Sequence, residues 1–264
     1  MPKTYVITGA STGIGEAIAL AYAARGENIV VAARGEEELA RVVSACEKAG
    51  GKALAVKTDV TEPDSCKALV DKTVERFGGI DVFVCNAGIS MWARFREVTD
   101  FSIFERIMRV NYLGTVNCVR FALPELERSR GLLVGVSSLT GIVGVPTRSG
   151  YAASKHAMQG FLDSLRIELA GTGVDVCVIS PGFVATDIRG KALGPDGKPR
   201  AESPRDESKG TMSLEECTHI CVRAIDRRDR DAIMTARAKF GRIVRLFAPG
   251  VIDRIAARAV RERS

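Results

Sequence analysis

The stretch from Tyr5 to Gly15 decides the fold, and it reads YVITGASTGIG. Its first residues are apolar and β-branched or aromatic, which is typical of a buried strand. Gly9, Gly13 and Gly15 then allow the backbone to turn tightly and a helix to pack closely on the strand. A segment with helical spacing of apolar residues follows at once. The stretch therefore predicts a strand, a turn and a helix that open a parallel α/β sheet.

The same alternation continues along the chain. Apolar runs that predict buried strands lie at residues 5–7, 28–31, 53–56, 81–84, 132–136 and 174–179, with a further one at 232–234. Helical patterns fall at residues 14–25, 36–49, 64–77, 100–128 and 151–170. Strands that are apolar along their whole length belong to parallel sheets with helices on both faces. We therefore expect a doubly wound parallel α/β sheet, the Rossmann fold.

The composition supports one large domain. The chain has 264 residues, of which 46% are hydrophobic and 27% charged, enough to bury a sizeable core. We expect this domain at residues 1–236, with a substrate lid at about 187–212, where proline, glycine and charged residues are frequent. No stretch approaches the roughly 20 apolar residues of a spanning helix, and we expect no leader peptide before the first strand.

The positive charge is concentrated at the C-terminus. The net charge is +6, but residues 223–264 hold twelve basic and five acidic residues, so residues 1–222 carry −1. Residues 237–264 contain two amphipathic helical patterns separated by Pro249 and Gly250. Such a basic tail either lies on an anionic membrane surface or covers the sheet, the lid or a subunit interface. Nucleic acid is excluded because the basic residues alternate with buried-face positions.

The cysteines favour a reducing, cytoplasmic setting. All seven are scattered without a Cys-x-x-Cys pair, and several lie within apolar runs. Cys217, His219 and Cys221 are close in sequence, but only two of them could share a helix face. We therefore expect no metal site.

The glycine-rich turn is also a candidate phosphate site. A helix that starts there presents free N–H groups and the positive end of its dipole. In a strand–turn–helix context the pattern is typical of dinucleotide binding, and a turn that binds nothing is the alternative. The candidate residues are Gly9, Ser11, Thr12, Gly13, Ile14 and Gly15.

The end of the second predicted strand indicates which dinucleotide binds. Sites for NAD usually place an acidic residue there, but this chain has Ala33 and Arg34. A guanidinium can bind the 2′-phosphate that a carboxylate would repel. We therefore predict that NADP(H) is preferred over NAD(H), although Arg34 could also be an ordinary solvated arginine.

Two further strand ends carry candidate cofactor contacts. Asp59 and Val60 follow the third strand, where they can meet the adenine, although Asp59 could instead belong to a helix start. Asn86-Ala87-Gly88 follows the fourth strand as a tight turn. Ligands of open α/β sheets bind at the carboxyl ends of the strands, which favours both contacts.

Tyr151 and Lys155 are the candidate catalytic pair. Their spacing places them on one helix face, so the ammonium can lie near the phenol. Carbonyl reduction needs a proton donor, and an unperturbed tyrosine, with a pKa of about 10, suits neutral pH only when a cation favours its phenolate. Lys155 is the obvious cation. Taken alone, such a pair is more often an ordinary part of an amphipathic helix.

Together these motifs resemble the single-domain branch of the short-chain dehydrogenase/reductase superfamily over nearly the whole chain. The matching residues are the Thr8–Gly15 turn, Asp59-Val60, Asn86-Ala87-Gly88, Asn111, Ser138, Tyr151, Lys155 and the stretch from Pro181 to Thr186. The branch is hydroxysteroid-dehydrogenase-like and NADP-preferring. Its likeness lies in the Tyr151–Met158 and Leu246–Gly250 stretches, and several of its members are membrane-associated.

The resemblance implies a role for each of these residues. Tyr151 is the general acid or base, and Lys155 lowers its pKa and binds the nicotinamide ribose. Ser138 polarises the substrate oxygen. Asn111 holds a water that relays protons to Lys155, although it could instead cap a helix kink. The remaining implied cofactor contacts are Ile14, Pro181, Gly182, Val184 and Thr186.

The resemblance also implies a substrate class. It places the pocket at Ser90, Met91, Trp92, Leu139, residues 143–146 and Phe183. Most of these are apolar, and we expect no carboxylate or guanidinium placed to bind a small acid. We predict an oxidoreductase, a carbonyl reductase, for a lipophilic ketone, aldehyde or secondary alcohol. The resemblance implies that it is a homodimer or homotetramer. A nucleotide-binding regulatory protein without turnover is the alternative.

Overall fold

The computed structural model describes residues 1–184, 192–200 and 211–261. Its centre is a seven-stranded parallel sheet of order β3-β2-β1-β4-β5-β6-β7. The strands are β1 (Thr4–Thr8), β2 (Asn28–Ala33), β3 (Lys52–Lys57), β4 (Val82–Cys85), β5 (Leu132–Val136), β6 (Asp175–Ser180) and β7 (Asp231–Ile233). The predicted doubly wound sheet is confirmed. Its order reverses between β1 and β4, which opens a crevice at the carboxyl ends of these strands.

Helices alternate with the strands as predicted, and a further helix at Leu214–Asp226 was not predicted from the sequence. They are α1 (Gly13–Ala23), α2 (Glu36–Lys48), α3 (Pro63–Phe77), α4 (Ser102–Met108), α5 (Gly114–Ser129), α6 (Ser149–Glu168), α7 (Leu214–Asp226), α8 (Ala236–Phe247) and α9 (Pro249–Arg261). Short 3₁₀ turns lie at Phe95–Glu97 and Leu139–Gly141, and a π-helical turn lies at Arg109–Leu113.

The sheet separates two hydrophobic cores. Helices α1, α2 and α7 contribute to the core that contains Ile7, while α3, α5 and α6 contribute to the one that contains Val6 and Phe83. Successive side chains of a strand point to opposite faces, so both faces must be apolar when helices cover both. This explains why the strand segments are apolar along most of their length.

The region predicted as one helix at residues 100–128 is divided in the structure. Helix α4 ends at Met108, a π-helical turn follows, and α5 begins at Gly114. Asn111 lies in this turn, and its side-chain amide binds both backbone groups of Ile89, a residue that follows β4. The spacing of apolar residues could not show the interruption, because the contact with Ile89 exists only in the folded chain.

All seven cysteines are free and buried. The Sγ atoms of Cys66 and Cys118 lie 3.7 Å apart between α3 and α5. Cys217 and Cys221 face the core, whereas His219 is exposed on another side of α7. In the part of the chain that the structure describes, no group of three or more His, Cys, Asp or Glu residues is arranged to hold a metal.

The C-terminal extension forms two helices, α8 and α9, that meet at Pro249 as the sequence predicts. Large apolar side chains stay exposed on them, with Leu246 at 76% and Phe247 at 84% exposure. Across the described ranges, no helix has both the length and the apolar character needed to cross a membrane.

The predicted lid at about 187–212 lies mostly outside the described residues. Its described parts are residues 192–200 and 211–212, and the first of these makes a turn that packs beside the loop after β4. There the Pro195 carbonyl accepts hydrogen bonds from the backbone N–H groups of Thr99 and Asp100.

Candidate active site

The glycine-rich turn between β1 and α1 packs closely against the end of β4. Gly9 and Gly13 have φ values of +63° and +62°, which favour glycine over other residues. A Cβ on Gly9 would lie 2.8 Å from the Ala87 Cα, and one on Gly15 would lie 2.5 Å from the Asn86 Nδ2. The turn is therefore closed on the side of β4, and only glycine fits there.

Asn86 holds this turn in place from the end of β4. Its side-chain amide donates hydrogen bonds to the carbonyls of Thr8, at 2.9 Å, and Gly9, at 3.0 Å. The Thr8 hydroxyl accepts hydrogen bonds from the backbone N–H groups of Asn86 and Ala87. The two strand ends that sequence reasoning assigned to the cofactor are thus joined into one rigid edge.

Sequence reasoning missed a contact on the outer side of the turn. Arg41 of α2 donates a hydrogen bond to the Ser11 carbonyl at 3.0 Å and forms an ion pair with Glu16. Thr12 is the residue before α1, with extended backbone, and among the described residues no side-chain hydrogen bond caps this helix. The first N–H groups of α1 therefore remain available to a phosphate.

The adenine-end candidates lie where the sequence places them. Arg34 is exposed at the end of β2, next to the half-buried Ala33. Asp59 Oδ1 accepts hydrogen bonds from the backbone N–H and the hydroxyl of Thr61, so Asp59 shapes the loop after β3. The Val60 carbonyl accepts a hydrogen bond from Asn117 of α5. Arg34, Asp59 and Val60 follow β2 and β3, which lie on the opposite side of β1 from β5 in the sheet.

Tyr151 and Ser138 meet at the carboxyl end of β5. Tyr151 is on the first turns of α6, and Ser138 precedes the 3₁₀ turn that follows β5. The pKa of the Tyr151 phenol is raised above its usual value, because burial outweighs the lowering by the Arg148 guanidinium and by a hydrogen bond with Ser138. Because a phenol and a hydroxyl converge, an oxygen placed between them would find two hydrogen-bond donors.

Lys155 lies one turn further along α6 and is also buried. Its Nζ donates a hydrogen bond to the Val136 carbonyl at 2.8 Å and lies 5.9 Å from the centre of the Tyr151 ring. Burial lowers the pKa of Lys155 to about 8. The ammonium can therefore lose or regain a proton near neutral pH.

Asn111 lies close to Lys155 but is held by the protein itself. Its Nδ2 donates a hydrogen bond to the Ser154 hydroxyl at 2.8 Å. A Cβ built on Gly88 would be 3.2 Å from Asn111 Oδ1 and 3.6 Å from the Lys155 Nζ. Gly88 therefore keeps a narrow space beside both groups open.

A cavity of about 750 Å³ opens above these residues. Of the predicted site residues it brings together Ile14, Asn86, Gly88, Ser138, Tyr151, Lys155, Pro181, Gly182 and Val184. Of the predicted substrate contacts it is lined by Ser90, Trp92, Leu139, Val143, Val145, Pro146 and Phe183. Met91 instead packs in a small core beneath Tyr151, and Thr186 lies outside the described residues. Helices α8 and α9 complete the outer wall with Phe240, Val244 and Ile252.

Guanidinium and carboxylate groups line the cavity, although the sequence analysis expects none placed there to bind a small acid. Arg148, which precedes α6, lines the cavity and is only 7% exposed. Arg94, Glu97 and Arg200 also border it. A pocket prediction built on apolar residues alone overlooked Arg148. The spacing from Arg148 to Tyr151 was a signal that could have found it, because residues three apart share a helix face.

The sequence of this chain is similar to those of a known protein family and its members. The short chain dehydrogenase family model matches residues 3–195. An 11-beta-hydroxysteroid dehydrogenase of Pinus massoniana is 34% identical over 257 residues, which cover 95% of this chain and 72% of that protein.

Two solved structures share the fold. One is an alcohol dehydrogenase of Thermococcus sibiricus complexed with 5-hydroxy-NADP, with a TM-score of 0.74 and 28% identity, covering 88% of this chain and 94% of that chain. The other is a short chain dehydrogenase/reductase of Burkholderia phymatum in complex with NAD. It has a TM-score of 0.82 and 26% identity, and the match covers 95% of each chain.

Proposed function

This chain belongs to the short-chain dehydrogenase family and is an oxidoreductase, and we propose that it interconverts a lipophilic ketone or aldehyde and its alcohol with NADP(H). The observation that carries the proposal is the position of Ser138, Tyr151 and Lys155 on the wall of a largely apolar cavity. The cavity continues to the glycine-rich turn through Ile14 and Asn86, so cofactor and substrate can meet in it. A nicotinamide cofactor bound there supplies or accepts the hydride.

Side chains of the protein would transfer the proton to and from the substrate oxygen. In reduction, the Tyr151 hydroxyl donates its proton to the substrate oxygen, which Ser138 holds through a second hydrogen bond. Lys155 favours the phenolate that forms, because its positive charge lies on the same helix face. The open space at Gly88, beside Asn111 and Lys155, suits a water that returns the proton. In alcohol oxidation the same groups act in reverse.

The cofactor preference rests on the end of β2. Arg34 is exposed there and can bind a 2′-phosphate, and Ala33 offers no carboxylate to repel it. Gly9, Ser11, Thr12, Gly13 and Gly15 would receive the pyrophosphate. Pro181, Gly182, Val184 and Thr186 would contact the nicotinamide end.

The substrate class rests on the cavity wall. Trp92, Leu139, Val143, Pro146 and Phe183 present apolar surface to it. A volume of about 750 Å³ is within the range of pockets that enclose a ligand of several rings. The name of the Pinus massoniana relative, a hydroxysteroid dehydrogenase, points the same way.

We propose that the enzyme is cytoplasmic and that it is a homodimer or homotetramer. Its basic tail would lie on an anionic membrane surface. Leu246 and Phe247 are exposed, and Arg245 and Arg254 stand beside the apolar residues. Sedimentation with vesicles of phosphatidylserine tests the contact. The wild-type chain should pellet with them, and the double variant Leu246→Asp, Phe247→Asp should stay in solution. Equal sedimentation of the wild type and the variant would refute the membrane contact. Light scattering of the purified protein measures its oligomeric state.

Tyr151→Phe tests the reaction. The purified chain should oxidise NADPH faster than NADH with lipophilic ketones and aldehydes, and the variant should lose turnover but keep cofactor affinity. Tyr112→Phe is the matched control, because Tyr112 contacts Phe161 and is not among the residues that line the cavity. Full activity of Tyr151→Phe, or turnover of only polar sugars and hydroxy acids, would refute the proposal.

A further inference from the structure

Arg148 is a buried cation beside the catalytic tyrosine. Its guanidinium carbon lies 5.8 Å from the centre of the Tyr151 ring. Arg148 immediately precedes α6 and Tyr151 lies in the first turn of that helix, so one helix end fixes the positions of both backbones. At this separation a positive charge in a poorly hydrated site acts strongly on an ionisable neighbour.

The surrounding residues hold this guanidinium in one place. Its Nη1 donates a hydrogen bond to the Ser90 hydroxyl at 3.0 Å, and Ser90 is itself buried. The guanidinium carbon lies 4.4 Å from the centre of the Trp92 ring and 5.7 Å from that of Phe183. Stacking of a planar guanidinium on aromatic faces is favourable and directional. Arg148 is therefore oriented by the loop after β4 and the loop after β6.

Lys155 and Arg148 lie on different sides of Tyr151. Its Nζ is hydrogen-bonded to the Val136 carbonyl, on the side of β5. The two cations thus approach Tyr151 from different directions, Arg148 from the N-terminal end of α6 and Lys155 from the next turn. Ser138 faces the phenol from the end of β5.

We propose that Arg148 is a positioning residue that favours the phenolate form of Tyr151 together with Lys155, and that Ser90 and Trp92 hold its guanidinium in place for this task. The inference rests on the proposed function, in which Tyr151 exchanges the proton. It assigns to Arg148 a role beyond substrate contact. It also gives a reason for burying a charged side chain in a largely apolar cavity wall.

The other charged groups around the described part of the cavity are few. Arg94 and Glu97, from the 3₁₀ turn after β4, form an ion pair. Arg200, from the turn at residues 192–200, donates a hydrogen bond to the Trp92 carbonyl. Together with Lys155 on α6, these are the charged groups that line the cavity with Arg148. The Tyr151 titration is therefore compared between wild type and variants that retain all of these charged groups except Arg148.

The test measures the ionisation of Tyr151 without turnover. Full-length protein is labelled with carbon-13 at the tyrosine Cζ, and its NMR signal is followed against pH, with Tyr151→Phe identifying the Tyr151 resonance. Arg148→Met should raise the pKa of Tyr151 by about one unit, because one nearby positive charge is removed. Arg148→Lys should give a smaller rise, since an ammonium keeps the charge but not the planar stack.

Arg120→Met is the matched control. Arg120 is exposed on α5 and stacks on the Phe121 ring, and neither residue lines the cavity. This variant should leave the Tyr151 titration unchanged. Circular dichroism shows which variants are folded. If Arg148→Met is not folded, the test uses Arg148→Lys and Ser90→Ala, which should each raise the pKa of Tyr151 by a smaller amount.

Two results separate this inference from the proposed function. Titration curves of Tyr151 that coincide in wild type and in the folded Arg148 variants would overturn the inference even if the enzyme reduces ketones. An upward shift with no turnover of any carbonyl would support the inference and refute the proposed function. Where turnover exists, the pH profile of alcohol oxidation should move upward by the same amount, which loss of packing alone would not cause.

Discussion

Replacement of Lys155 by methionine should make the protein more stable while it removes activity. Burial lowers the pKa of Lys155 from 10.5 to about 8. At about 1.4 kcal/mol per pKa unit, keeping this lysine charged in the folded state costs about 3 kcal/mol at neutral pH. Methionine has a similar shape and no charge, but it loses the hydrogen bond to the Val136 carbonyl, which costs about 1 kcal/mol. The net gain in the free energy of unfolding should be about 2 kcal/mol.

The gain should disappear as the pH rises. Between about pH 8 and about pH 10.5 the unfolded wild-type chain still binds the proton on Lys155, whereas the folded chain has released it. Wild-type stability therefore rises through this window relative to the variant, which has no such group. Below about pH 8 both states hold the proton and the advantage of the variant is complete.

Urea unfolding at several pH values measures both effects, since the difference between the two proteins cancels the other titrating groups. Lys72→Met is the control, because Lys72 is exposed on α3 and its removal should change little. The reasoning is refuted if Lys155→Met is less stable than wild type at neutral pH and the difference does not change with pH. Activity of the variant should fall by at least about a hundredfold.

Three further predictions concern the cofactor site and the core. Ala33→Asp should reverse the cofactor preference toward NADH in steady-state kinetics, because a carboxylate repels the 2′-phosphate; an unchanged ratio would argue against the role of this position. Gly9→Ala should weaken NADPH binding at least tenfold in fluorescence titrations, because its Cβ would clash with Ala87; unaltered affinity would contradict the geometry. Phe83→Ala should lower the free energy of unfolding by about 3–5 kcal/mol in urea titrations, since Phe83 is fully buried between β4 and the helices, and a loss under about 1 kcal/mol would contradict that burial.

Most strand segments were predictable because burial on both faces leaves a continuous apolar signal, whereas β3 at the edge of the sheet is only partly buried. The carboxyl ends of the strands were predicted only to within about two residues, which was enough to place the cofactor candidates near that edge of the sheet. Helix 100–128 was less predictable, because the π-helical turn at Asn111 depends on its hydrogen bonds with Ile89. A contact between residues 22 positions apart leaves no periodic trace in the sequence.

The C-terminal helices show a second limit of sequence reasoning. Their amphipathic spacing was readable, and so was the break at Pro249. Their position against the cavity was not, because an apolar stripe specifies that it will be covered but not by which surface. The structure places Phe240 and Val244 in the cavity wall and leaves Leu246 and Phe247 exposed.

The sequence by itself determined the sheet, the helices on its two faces and the spacing that sets Tyr151 above Lys155, because these follow from local periodicity and from glycines with few alternatives. The spacing of Arg148 and Tyr151 places both at the start of α6, but only the tertiary structure decided that the Arg148 guanidinium is held beside the phenol. Arg148 is brought to Tyr151 by the start of α6 and held there by Ser90 and Trp92, which precede it by more than fifty residues. Burial gives these charges their strength, because it removes the water that would screen them.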